Sequence, residues 1–342
     1  MKLSKDKAPA LFSPRGSGPV SLSSWVQISP YKSKQYIHIL PFDIKFNIMA
    51  TYSDSDFNSA HYQSARPSYP AAFYKTLLDY HQKGPASTDL AVDVGCGSGF
   101  VTFKLVEFFN HVIGTDISTV MISQCKNDER TKNLEGKISF VVAPGEKAPQ
   151  EISPQSVDMV TGAECCHWMD HDKFFKECAR ILKPGATLAY WFYLDPIFVG
   201  QPEANRIYTD FTYGSSVEKH NDSYERFVGP FYEQPGHEYL RTAMAEVSPP
   251  SELFYDVVRH HYNPLVHDEN YTTLFIKRRI TLNIYKDYVT SWSGYHNWKK
   301  VHGDKPDAAE EFIQNLAHAM AVDLETPVDI IFPTVYTFAR RR

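Results

Sequence analysis

The run Asp93-Val94-Gly95-Cys96-Gly97-Ser98-Gly99 constrains this chain more than any other feature. It is entered from the apolar stretch Leu90-Ala91-Val92 and left through Phe100-Val101-Thr102-Phe103-Lys104-Leu105, which reads as strand, glycine-rich turn and helix. Glycines at alternate positions let the backbone turn sharply and approach a ligand closely, and the helix start beyond them offers unpaired N–H groups. A nucleotide-like ligand is the expected occupant. The spacing G-x-G-x-G is one residue shorter than the dinucleotide fingerprint, and an acid, Asp93, precedes it at the carboxyl end of the strand. That acid would repel a pyrophosphate and favour a cationic ligand.

The rhythm on either side of the turn predicts an α/β, doubly wound fold. A helical spacing runs over 73–80 and stops near Gly84-Pro85. Strand patterns follow at about 90–94, 111–117, 138–142, 157–162 and 187–192, with helical patterns between them, including 172–182 halted by Lys183-Pro184-Gly185. Strands separated by helices imply a parallel sheet with right-handed crossovers. After Asp195-Pro196 the rhythm breaks, and residues 196–250, rich in Tyr, Pro, Gly and Glu, are expected to form an inserted lid over the carboxyl edge of the sheet. The core pattern resumes with a strand over 254–262, one helix over 282–300, a second over 308–321 and a final strand over 328–338. Two late strands joined by helix suit an antiparallel pair at the sheet edge.

Composition bounds the remaining choices. With 342 residues, 43% of them hydrophobic, the chain can bury a large core as one long domain over 49–342. Residues 1–48 hold seven Lys or Arg against two Asp or Glu, so this basic extension carries +5 and the rest of the chain −10. A net charge of that sign excludes a nucleic-acid footprint on the folded part. The arm itself, rich in Ser, Pro, Gly and Lys, is expected to be poorly ordered. Five cysteines with no C-x-x-C pair suggest neither a disulfide framework nor a zinc site, and point to a reducing, cytoplasmic setting. No apolar window is long enough to span a bilayer, so no membrane partner is expected.

The Asp93 to Gly99 run resembles the glycine motif of class I S-adenosylmethionine-dependent methyltransferases, whose cofactor carries a sulfonium and an amino-acid moiety in place of a diphosphate. The resemblance implies a seven-stranded Rossmann-like methyltransferase sheet, with Asp93, Gly95, Cys96, Gly97 and Gly99 around that cofactor. Asp116 closes Val112-Ile113-Gly114-Thr115-Asp116, 21 residues after Gly95, where it can accept both hydroxyls of a ribose or else cap the next helix. Ile117 and Met121 could sandwich the adenine or belong to the core. In Ala143-Pro144-Gly145-Glu146, the slot that often carries an adenine-contacting acid holds Pro144, leaving the Gly145 backbone or the Glu146 side chain for that contact. The backbone of Ala163 and Glu164 should face the methionine part of the cofactor.

Three further blocks are more specific: Phe57 to Tyr62, Arg66-Pro67-Ser68-Tyr69-Pro70, and Ala163-Glu164-Cys165-Cys166-His167-Trp168. With Trp191-Phe192-Tyr193 and Ser291-Trp292-Ser293-Gly294-Tyr295, they make the chain similar to the fungal trans-aconitate and cantharidin-resistance methyltransferase group. The resemblance implies methyl transfer to a carboxylate of a small anionic substrate, a di- or tricarboxylic acid; a monomer or homodimer is expected. An ionised carboxylate is already nucleophilic, so catalysis reduces to alignment, desolvation and charge neutralisation. Arg66 suits a carboxylate bidentately, or ties down the N-terminal segment. Tyr62 and Tyr69 are further donors, His167 is the candidate catalytic residue that orients the substrate, and Trp168 is a pocket wall. His167 and His171 with Asp170 and Asp172 straddle a strand-to-helix turn without an upstream partner, so no metal centre is expected. A lipid or quinone acceptor is the rival reading, and there a base such as His167 would matter.

Overall fold

The computed structural model describes Thr51, residues 65–213 and residues 228–342, all within one unit, Asn47–Arg342. The basic arm, Tyr62 and residues 214–227 of the expected lid lie outside the described residues. Helix α1 (Ala71–Gln82) leads into β1 (Leu90–Val94), α2 (Phe100–Leu105), β2 (His111–Asp116), α3 (Thr119–Asn127), α4 (Glu129–Asn133) and β3 (Ile138–Val142). Then come β4 (Val157–Ala163), a single 3-10 turn at Cys166–Trp168, α5 (His171–Ile181) and β5 (Leu182–Tyr193). The second half runs through β6 (Ile197–Phe198), α6 (Pro202–Tyr213), α7 (Gly236–Arg241), β7 (Phe254–Tyr262) and β8 (Ile276–Ile280). It ends with α8 (Leu282–Thr290), α9 (Ser293–His302), α10 (Ala308–Met320), β9 (Val328–Phe332) and β10 (Thr334–Arg341).

Seven strands pair in the order β3-β2-β1-β4-β5-β10-β7. The first five are parallel, and β10 runs antiparallel between β5 and β7. This is the doubly wound sheet that the sequence predicts, with its late antiparallel pair. Period-two alternation sends successive side chains to opposite faces. On β5, Ala189, Trp191 and Tyr193 join one apolar core with Phe73 and Leu77 of α1, while Leu188, Tyr190 and Phe192 join another with Phe174 and Phe175 of α5. Burial on both faces explains why these strands read as continuous apolar runs. Strand order reverses between β1 and β4, and a sheet of this kind opens a crevice at the carboxyl ends of its strands at such a point.

Three expectations are corrected. The helix expected over 282–300 is two helices, because Ser291 and Trp292 interrupt it and Trp292 takes up extended backbone (φ −77°, ψ 143°). The strand expected over 328–338 is two strands in different sheets. Proline at 333 removes a ladder donor between them, so β9 pairs with β6 and β8 in a small second sheet that the sequence reading missed. Strand β5 starts directly after α5, and Lys183-Pro184-Gly185 forms an irregularity inside it rather than a separate turn. Among the described residues, no helix is long and apolar enough to cross a membrane, and no group of three or more His, Cys, Asp and Glu could hold a metal ion.

Candidate active site

The carboxyl ends of β1, β2, β4 and β5 meet at a cleft that is partly open to solvent. Its floor is the glycine turn. Gly95 and Gly97 both hold left-handed backbone, at φ +61° and +52°, but for different reasons. A Cβ on Gly95 would lie 2.5 Å from the Cβ of Cys165, so this residue lets the turn pack under the end of β4. A Cβ on Gly97 would meet nothing within 4 Å, so glycine here serves the backbone conformation and keeps the cleft clear above it.

Two buried carboxyls flank the turn. Asp93 accepts hydrogen bonds from the hydroxyls of Thr102 (2.6 Å) and Thr161 (2.8 Å), and burial pushes its pKa up to about 6 against those bonds. Asp116 accepts the N–H of Gly97 at 2.9 Å and that of Ser118 at 2.8 Å, one on each oxygen. Its own burial raises its pKa, against those two N–H groups. Ser118, not Asp116, caps α3, by accepting the Met121 N–H. Each Asp116 oxygen keeps a lone pair, enough to receive a ribose diol. The open backbone at Gly97, the Asp116 carboxylate and the Met121 side chain on the same wall therefore fit the adenosine half of S-adenosylmethionine.

Other expected cofactor residues fall elsewhere. Gly99, Ile117, Gly145 and Glu146 do not line the cleft. A Cβ on Gly99 would press on Phe103 at 2.8 Å, and Ile117 is exposed at the surface. Gly145 packs against Met169 and Val94, and Glu146 accepts the N–H of Asp170 at 2.9 Å, supporting the start of α5. In this structure the Gly145-Glu146 pair packs and hydrogen-bonds at the start of α5. Cys96, Ala163 and Glu164 do line the cleft.

The acceptor side assembles residues distant in sequence. Arg66 donates from Nη1 to the Tyr193 hydroxyl (3.3 Å) and from Nη2 to the Ser291 carbonyl (3.1 Å), and lies 5.2 Å from the Tyr288 ring centre. Ser291 caps α8, so its carbonyl is left over by the helix break and the guanidinium takes it up. Tyr69 lines the cleft with its ring against Trp191. His167 and Trp168 form the wall beyond β4, their rings 4.8 Å apart, and Trp168 seats the first turn of α7 at Gly236. The His167 imidazole is neutral. Burial lowers its pKa to about 3, reinforced by His237, His171 and Arg66, and its buried Nδ1 has no hydrogen-bond partner among the described residues. Such a ring can orient a substrate but is too weakly basic to take a proton from one near pH 7.

Sequence reading missed half of this wall. Asp195, just past β5, accepts the hydroxyls of Tyr208 (2.7 Å) and Tyr213, pinning α6 over the cleft. His237 of α7 stacks on Tyr232 at 3.8 Å. Tyr288 and Trp292 come from α8 and its break. The last of these had a visible signal, because Trp292 sits in a block that carries the family resemblance yet reads locally as helix packing. The tyrosines of 196–250 had no signal beyond their abundance.

A family model described as a methyltransferase domain matches residues 92–190. The chain is 36% identical over 303 residues to the probable S-adenosylmethionine-dependent methyltransferase CRG1 of Saccharomyces cerevisiae, covering 85% of this chain and 98% of that protein. It is 33% identical to the methyltransferase cfoB of Aspergillus candidus, over 66% of this chain and 70% of that one. In three dimensions it is similar to a structure described as a type II methyltransferase from Anaeromyxobacter dehalogenans. The TM-score is 0.57 at 22% identity, over 80% of this chain and 97% of the other, a likeness of fold. Given relatives this similar over most of the chain, and a glycine turn with Asp116 that fits their cofactor, the chain belongs to the S-adenosylmethionine-dependent methyltransferases.

Proposed function

We propose that this methyltransferase acts on a carboxylate oxygen of a small di- or tricarboxylic acid, of the trans-aconitate or cantharidin type. The observation that carries the reading is Arg66. Its guanidinium stands at the cleft beside the Tyr193 hydroxyl, on the side opened by β5 and the α8–α9 break, and its planar fork matches a carboxylate. S-adenosylmethionine, when bound, supplies an electrophilic methyl group on a sulfonium. The chain's own task is to hold an anion still beside it and exclude water.

The state of the neighbouring groups supports an acceptor that arrives already ionised. His167 and His237 are both buried, and burial lowers the pKa of each to about 3. Neither ring can serve as a general base near neutral pH, so an acceptor that must first lose a proton, such as a phenol or quinol, finds no partner for it in these two rings. A carboxylate needs none.

The test is transfer of labelled methyl from S-adenosylmethionine to trans-aconitate, with an isoprenoid quinol offered in parallel. Base-labile label in the acid, the mark of a methyl ester, is the expected result. Label in the quinol alone overturns the reading. An Arg66→Lys variant should raise the KM for the acid about tenfold or more while S-adenosylhomocysteine affinity stays within about twofold, because an ammonium keeps the charge and loses the fork. Equal loss of both would assign Arg66 to folding.

A further inference from the structure

A circuit of aromatic rings lies between the end of β5 and the α8–α9 break, and a single carboxylate closes it. Asp195 Oδ1 accepts the Tyr208 hydroxyl at 2.7 Å and Oδ2 accepts the Tyr213 hydroxyl, so the tips of two α6 tyrosines meet at one side chain just past β5. From Tyr208 the contact passes edge-on to Trp292, with ring centres 5.9 Å apart, and from Trp292 to Tyr232 at 6.4 Å. Tyr232 stacks on His237 at 3.8 Å, and His237 stacks in turn on Tyr213 at 5.3 Å. Gly294 at the start of α9 lets Tyr232 come in, since a Cβ there would lie 2.8 Å from its ring. Asp195, Tyr208, Trp292, Tyr232 and His237 all line the cleft.

Both tyrosine protons go to Asp195, through hydrogen bonds of the strong, charge-assisted kind. What Tyr208 offers the cleft is therefore ring and not a hydroxyl proton. The circuit also adjoins the anion anchor. Arg66 donates to the carbonyl of Ser291, next in the chain to Trp292, and lies 5.2 Å from the centre of the Tyr288 ring, which is itself 5.4 Å from Trp292. With the adenosine half of the cofactor at Gly97 and Asp116, the rest of an acid held by Arg66 has these rings for its surroundings. Aromatic rings reward a flat, conjugated body with stacking beyond simple area burial. A saturated body offers no such face and must also give up free rotation on binding.

We propose that Asp195 is a positioning residue that sets acceptor specificity: by tying Tyr208 and Tyr213 it holds the aromatic circuit in place, and the circuit selects an acid with a flat, unsaturated body over its saturated counterpart. The inference rests on the carboxylate reading above and names what surrounds the rest of the acid. Asp195 acts through the rings; Arg66 keeps the charge.

The experiment offers the full-length protein two acids in turn, trans-aconitate and propane-1,2,3-tricarboxylate, which carries the same carboxylates and lacks only the double bond. The ratio of their kcat/KM values is the readout. It cancels the active fraction of the sample, so a variant that merely folds less well leaves it unchanged. In the wild type the ratio should favour trans-aconitate by about tenfold or more. Asp195→Ala should bring it to within about twofold of unity, chiefly through KM, with S-adenosylhomocysteine affinity within about threefold of wild type. A wild-type ratio near unity, or a wild-type ratio kept by Asp195→Ala, overturns the role. So does a large loss of S-adenosylhomocysteine affinity with the ratio unchanged, which would assign Asp195 to the cofactor.

The double variant Tyr208→Phe/Tyr213→Phe keeps both rings and removes the two hydroxyls, and it decides the matter if Asp195→Ala does not fold. Its ratio should fall as that of Asp195→Ala does. A ratio kept at the wild-type value would show that the hydroxyl ties do not set the selectivity, and overturns the role. Methylation of neither acid by the wild type overturns the functional reading itself. Methylation of both with equal efficiency overturns only this inference.

Discussion

The Asp116 carboxylate carries the N–H groups of Gly97 and Ser118 before any ligand arrives. It therefore sets the height of the glycine turn as well as offering its remaining lone pairs. Asp116→Ala should weaken S-adenosylhomocysteine binding by about 1–3 kcal/mol, read by calorimetric titration, through loss of hydrogen bonds to a charged group. Unchanged affinity would remove Asp116 from the cofactor site. The placement of Asp116, Gly95 and Gly97 at the cleft was legible in the sequence because it depends on backbone turns and strand ends that local spacing reveals. The bond that Glu146 makes was not legible, for the opposite reason. Its spacing suits a cofactor contact, but its oxygen is used by the Asp170 N–H, a partner 24 residues away.

At the scale of elements, the breaks matter as much as the elements. The interruption at Ser291 and Trp292 releases the carbonyl that Arg66 takes, and it brings Trp292 to the cleft. Helical periodicity alone runs straight through 282–300, since the apolar spacing of α8 continues in phase into α9. The start of α10 is held differently. Asp307 accepts the N–H groups of Ala309 (2.9 Å) and Glu310 (3.4 Å), and also binds the Tyr295 hydroxyl and the Lys299 ammonium. Asp307→Ala should lower stability by about 0.5–2 kcal/mol in urea unfolding, the range for a lost cap. S-adenosylhomocysteine affinity should not change, because Asp307 lies away from the cleft. A stability change within error would show that the Asp307 cap contributes nothing to stability.

At the scale of the molecule, the buried histidines couple the site to acid stability. His167 and His237 stay neutral in the native state down to about pH 3, whereas in the unfolded chain each takes up a proton near the ordinary histidine value. At these two residues the unfolded state binds more protons between those limits, so their contribution to stability is full above about pH 6.5 and falls as pH drops toward 3, while the raised pKa of buried carboxyls such as Asp93 acts in the opposite direction. Each residue should contribute a slope of about 1.4 kcal/mol per pH unit over the middle of that window. Urea unfolding at pH 7, 6, 5 and 4 of the wild type and of His237→Phe measures it as the difference between the two profiles, which should show the His237 slope removed. An unaltered slope would mean that His237 reaches solvent and titrates normally.

The five parallel strands, the glycine turn and the two acids beside it were set by the sequence alone, because each follows from short-range rules: alternation, breakers and backbone conformations open to glycine. So was the methyltransferase family, through the run from Asp93 to Gly99. The tertiary structure decided which residues share a wall. Tyr193, Asp195, His237 and Tyr288 come from separate parts of the chain, and nothing in local spacing places them beside Arg66. It also decided that the surroundings of Glu164 push its carboxyl up to about 8, which residue type alone does not foretell. Desolvation is a property of everything packed around a group, and the sequence lists those neighbours without saying that they meet.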